Sequence, residues 1–106
     1  MSKVRIFYKK DAADPGHMRE IENTLEAFQE LVGGYIETFT FSTDTTLVIN
    51  EEGRLLGLPV NMDFFGHRFF GPMIFVGYND DGEFVNVQEE IEYRLGQVIG
   101  CIGYGN

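Results

Sequence analysis

The segment Phe64-Phe65-Gly66-His67-Arg68-Phe69-Phe70 gathers the residue types that a small planar anion would need. Aromatic faces stack on a base, an arginine offers a forked set of donors to a phosphate, and a histidine adds a further donor. If the segment is extended, Phe64-Phe65 and Phe69-Phe70 cannot all point inward, because successive side chains alternate sides. One ring of each pair is expected in the core, and the other in a pocket wall, a loop cover or a subunit interface. On this reading Phe64, Phe65, His67, Arg68, Phe69 and Phe70 form a ligand site in which Arg68 holds the anion, with Arg5, Lys9 and Lys10 available to add charge.

Other chemistries find less support. His17 and His67 lie far apart, outside any His-x-x-x-His or Cys-x-x-Cys spacing, and Cys101 is the only cysteine, so no metal site is expected. Asn79, Asp80, Asp81 and Glu83 surround Gly82 but lack the alternating oxygens and distant glutamate of a calcium loop; a hairpin turn accounts for them. No Gly-Lys-Ser/Thr follows a strand and no Gly-x-Gly-x-x-Gly opens a helix, which removes the common nucleotide-cofactor loops. Ser2 and Ser42 are the only serines, and neither stands in a nucleophile elbow. No catalytic residue and no cofactor are expected.

The net charge of -9 on 106 residues argues against general attraction to nucleic acid or to an anionic membrane, since both need a basic surface. With no apolar run near the roughly 20 residues of a span and no signal-peptide pattern, the chain reads as soluble, unprocessed and cytoplasmic. Its length suits one domain, residues 1–106, with a glycine-rich tail at 100–106. There is no internal repeat.

The elements that would position the aromatic segment follow from periodicity. Val4 to Tyr8 suits a first strand. Met18, Ile21, Leu25, Phe28 and Val32 recur at helical steps and predict a buried stripe ending at Gly33-Gly34. Tyr35 to Ser42 and Thr46 to Asn50 read as antiparallel strands around Thr43-Asp44-Thr45. Asn50-Glu51-Glu52-Gly53 reads as a turn in which Gly53 takes a positive φ, sending the chain back along Arg54 to Leu56 as a strand. Met73 to Tyr78 and Glu83 to Val85 complete the strands. Asn86, three residues before Glu89, suits a helix cap, with Val87, Ile91, Leu95 and Val98 on one face and an end near Gly100. The expected architecture is α+β: a mainly antiparallel sheet, a meander, with two α-helices packed on it.

In this order "IENTLEAFQELVGGYIE", "NEEGRLLGLPVN" and "GPMIFVG" resemble the small proteins of the domain of unknown function 3846 family, over roughly residues 19 to 86. That resemblance implies an origin in a phage or mobile element and brings no catalytic residues with it. "FFGHRFF" is bulkier than the family pattern at that place. Two roles are then open for a non-enzymatic phage protein that neutralises a host defence component in the bacterial cytoplasm, and a small enzyme with an unrecognised site is the third option. One sequesters a nucleotide-type signal in the aromatic and basic pocket. The other places an acidic helix face, Glu20, Glu22, Glu26 and Glu30, on a basic surface of a host defence protein. The paired phenylalanines further suggest a homo-oligomer, since large apolar patches usually mark interfaces.

Overall fold

Met73, Ile74, Phe75 and Val76 are all buried, although neighbouring residues in a strand face opposite ways. Such a strand requires cover on both sides of its sheet. A computed structural model, which describes residues 2–101 and side chains as far as Gly96, provides it. The chain runs β1 (Lys3–Lys9), β2 (His17–Glu22), α1 (Leu25–Val32), β3 (Ile36–Ser42), β4 (Thr45–Asn50), β5 (Val60–Phe64), β6 (His67–Phe70), β7 (Met73–Tyr78), β8 (Phe84–Val85) and α2 (Ile91–Cys101). The main sheet has the order β2-β1-β7-β4-β3, with β8 on β7, and every pairing is antiparallel. Two hairpins, β1–β2 and β3–β4, therefore flank the doubly covered β7. The expected α+β class and antiparallel pairing hold.

Each face has its own core. Val4, Ile6, Val48, Ile74 and Val76 meet Phe28 and Val32 of α1. Phe7, Leu47, Met73 and Phe75 meet Met62, Phe64 and Phe69 of the small β5–β6 hairpin, together with Ile91 and Leu95 of α2. The alternation along β1, β4 and β7 is what divides these residues between the faces.

Four expectations are corrected. Residues 17–22 are a strand, since β2 pairs with β1 from Lys3↔Glu22 to Tyr8↔His17. Met18 and Ile21, three apart, suit one helical face but fall on opposite faces of a strand; accordingly they pack against different cores. The helix begins only after Thr24, whose hydroxyl accepts from the Ala27 N–H at 3.2 Å, and Leu25 is exposed. Arg54–Leu56 is not a strand: residues 51–57 form successive turns, closed where the Leu58 N–H donates to the Gly53 carbonyl at 3.0 Å. The positive φ falls at Gly57 (73°), whereas Gly53 lets the Phe70 carbonyl pass 2.9 Å from where a Cβ would stand. Asn86 does not cap α2; its side-chain oxygen accepts from the Arg5 N–H at 2.8 Å, and the Val87 N–H donates to the Arg5 carbonyl at 2.9 Å. Val98 and the tail residues 102–106 lie outside the described side chains and residues.

A bulge in β5 between Val60 and Met62 turns Asn61 inward, and only 1% of it is exposed. Its amide donates to the Lys9 carbonyl at 3.0 Å and the Gly71 carbonyl at 2.9 Å, while its oxygen accepts from Lys9 Nζ at 2.9 Å. Asn61→Ala removes three hydrogen bonds and strands two carbonyls. It is expected to lower stability by about 2–4 kcal/mol in urea denaturation, whereas Leu25→Ala, on the exposed side of α1, changes it by less than about 1 kcal/mol. Equal effects of the two substitutions would remove Asn61 from this role.

Candidate functional site

The aromatic segment folds as a two-residue hairpin: Phe64 pairs with His67, and Phe65 and Gly66 make the turn with φ 54° and 75°. Positive φ at both central residues is the type I′ geometry, where Asn-Gly is the favoured pair. Phe65 occupies the position that asparagine prefers, at a backbone cost of order 1 kcal/mol. It is also 45% exposed, with its ring against Phe64 and Phe41, so burial accounts for only part of the choice.

The hairpin distributes the expected site residues. Phe64 and Phe69 enter the core, one ring from each pair. Phe70 is half-buried beneath the Arg54 guanidinium, 5.8 Å from its centroid. His67 is exposed and meets Phe39 edge-on at 4.8 Å. Arg68 is gripped by Asp63 across the ladder, Nε to Oδ1 and Nη2 to Oδ2, both at 3.1 Å. A cleft of about 360 Å³ adjoins this pair, and a smaller one of about 150 Å³ places Arg54 and Arg68 beside Glu37 and Glu51. An anion approaching Arg68 thus meets Asp63 in the larger cleft and Glu37 and Glu51 in the smaller one. Lys9 is held by Asn61 and the carbonyls of Asp11 and Ala12, where burial lowers its pKa, and Arg5 lies near Glu89.

Phe65 instead turns to another cleft, of about 380 Å³, lined by Phe41, Ser42, Thr43, Asp44, Tyr93 and Arg94. Phe41 sits at a bulge in β3 between Thr40 and Ser42, and its ring lies 5.7 Å from that of Phe65. Tyr93, in the first turn of α2, is 70% exposed and lines the same cleft. The polar rim is an ordered network. Asp44 Oδ1 accepts from Arg94 Nη1 at 2.8 Å, Ser42 Oγ at 2.8 Å and Thr45 Oγ1 at 3.0 Å, and Arg94 Nη2 reaches Oδ2 at 3.4 Å. The Arg94 guanidinium, followed by the Ser42 hydroxyl, holds the Asp44 pKa down at about 2 against partial burial. The arrangement offers aromatic surface on which a flat ring can stack, with a charged donor and an acceptor beside it.

Phe41, Asp44, Tyr93 and Arg94 were not among the expected site residues. One signal for Arg94 exists in the sequence: it is the only basic residue after Arg68, set among Glu89, Glu90 and Glu92. The four acidic residues expected on one helix face are split, with Glu20 and Glu22 on β2, where Glu22 pairs with Lys3 at 3.5 Å, and Glu26 and Glu30 on α1. Among the described residues no cluster of three or more His, Cys, Asp or Glu could hold a metal, and no helix is long and apolar enough to cross a membrane.

Fold and site together define a small α+β domain with an open aromatic cleft between a hairpin tip and its second helix. The chain belongs to the family described as Domain of unknown function (DUF3846), which it matches over residues 4–99. No curated protein and no solved structure matches it.

Because the folded-state pKa of Asp44 is depressed, its ionised form stabilises the fold above the unfolded value of about 3.9, and that contribution fades as pH falls toward about 2. Urea midpoints of the wild type and Asp44→Asn should therefore differ near neutrality and converge in acid. A gap that stays constant down to pH about 2 would contradict the depressed pKa.

Proposed function

We propose that this protein is a non-enzymatic binding protein that retains a small nucleotide-type ligand, with the base stacked in the cleft of Phe41, Phe65 and Tyr93. The observation that carries this reading is Phe65, an exposed ring at a left-handed turn position where asparagine would relieve the backbone. Strain of that kind concentrates at functional sites. The Asp44–Arg94 pair supplies what a heterocycle edge requires, since an arginine donates to ring nitrogens and carbonyls while an aspartate accepts from amino groups. The basic partner of the rings in this reading is Arg94. Arg68 is bonded to Asp63 much as Arg94 is to Asp44, but it does not line this cleft and is left to strengthen the hairpin. The biological setting of the proposal is a phage or mobile element that withdraws a nucleotide signal from the defence of its host.

Calorimetry against a panel of cyclic and linear nucleotides provides the test. Phe65→Gly removes the ring and also relaxes the turn, so it separates binding from folding. Stability is expected to stay within about 1 kcal/mol of wild type, while affinity drops about ten-fold or more, as does that of Tyr93→Ala, given that a stacked base contributes roughly 1–3 kcal/mol. Arg68→Ala leaves affinity unchanged. A wild type that binds nothing in the panel, or a Phe65→Gly variant that binds equally well, defeats the reading; a loss of affinity in Arg68→Ala would move the site to the Asp63–Arg68 cleft.

A further inference from the structure

A second feature lies at the other end of the β3–β4 ladder and is independent of the aromatic cleft. Ser42 pairs with Thr45 beside the cleft and Ile36 with Asn50 at the far end, a separation of about 20 Å at the usual rise per strand residue. At that far end Tyr35 and Leu55 are 70% and 85% exposed, and Leu56 is also open to solvent. These side chains contribute little to either core. The backbone that carries them is nevertheless tied down. Asn50 donates to the Val32 carbonyl at 3.0 Å and accepts from the Glu52 N–H at 2.7 Å, and the Leu56 N–H donates to the Glu52 carbonyl at 2.8 Å. The Glu51 N–H ties the same turn to the Tyr35 carbonyl at 2.9 Å.

Between the turn and the end of α1 lies a groove of about 280 Å³ in which Tyr35 and Leu56 face Gln29, Gly33 and Gly34. Leu25, one helical turn before Gln29, extends the apolar strip along α1. The rim is acidic. Glu52 lines the groove, Glu26 and Glu30 are exposed on α1 next to Leu25 and Gln29 in the sequence, Glu51 is exposed on the turn, and between Arg19 and Arg54 the chain has no lysine or arginine. Arg54 itself folds over the Phe70 ring.

We infer that this strip is a docking surface for a basic, aliphatic polypeptide segment of another protein. Apolar side chains of that segment would cover Tyr35, Leu55 and Leu56, and its lysines or arginines would meet the glutamate rim. Charge selects this occupant over a second copy of the chain, because two such faces would bring their glutamates together. A backbone already ordered before binding loses little freedom on association, which favours affinity from a small contact.

Two synthetic peptides with one leucine pattern, carrying lysine or glutamate at their polar positions, test the inference by amide chemical-shift mapping on the full chain. The lysine peptide should shift Leu25, Gln29, Tyr35 and residues 52–56, and its binding should weaken as salt is raised. A double variant, Leu55→Ser with Leu56→Ser, should retain the wild-type circular dichroism spectrum and lose about ten-fold or more in affinity. The inference is overturned if the glutamate peptide binds equally well, if the shifts spread over the acidic surface without centring on the strip, or if the double variant binds like wild type. A concentration-dependent dimer that the double variant abolishes would overturn it too, by making a second copy the occupant.

Discussion

One buried amide holds the two layers of this protein in register. Asn61 is carried inward by the bulge in β5 and satisfies the last carbonyl of β1 and the carbonyl that leads into β7, while also accepting from the Lys9 ammonium. Backbone groups at the ends of two strands would otherwise face the hairpin without partners, at a cost of about 1–3 kcal/mol for each buried group left unpaired. The same contact fixes where the hairpin sits over the sheet. In that position Phe64 and Phe69 enter the core, and Phe65 packs against both Phe64 and Phe41. The geometry of the cleft thus follows from a hydrogen-bonding requirement at the opposite end of the hairpin.

Asparagines perform related tasks elsewhere. Asn50 joins the end of α1 to the turn after β4, Asn23 donates to the Phe84 carbonyl, and Asn86 pairs with the Arg5 backbone. Each links segments distant in sequence where the regular ladder stops. Such side chains offer a donor and an acceptor in one compact group, which suits the irregular ends of strands. The sheet itself rests on burial, the ends on these amides.

The strands with strong alternation or continuous apolar character were legible in the sequence. Met73 to Tyr78 coincides with β7, and the β3–β4 hairpin lies within a residue of its expected bounds. Residues 17–22 misled because Met18, Ile21 and Leu25 mimic a helical stripe; the pairing with β1, a tertiary effect, overrides that local period. The β5–β6 hairpin was hidden by its turn, since Phe-Gly lacks the usual Asn-Gly signal. For the site, the division of each phenylalanine pair between inside and outside could be read from alternation alone. The partners of Phe65 could not, because Phe41, Asp44 and Arg94 come from segments that only the folded sheet brings together.

The placement of β7 has a consequence for how the chain reaches this state. It is the central strand of the sheet, yet it is made after six of the other strands, and it pairs Phe75 with Phe7 across most of the sequence. The hairpins β1–β2 and β3–β4 can form early from local contacts, but each keeps one edge open until β7 arrives between them. Formation of the whole sheet therefore waits on closing long loops, a topology associated with slow folding. In a nascent chain the exposed edges of β1 and β4 are the places where wrong pairing competes with the right one.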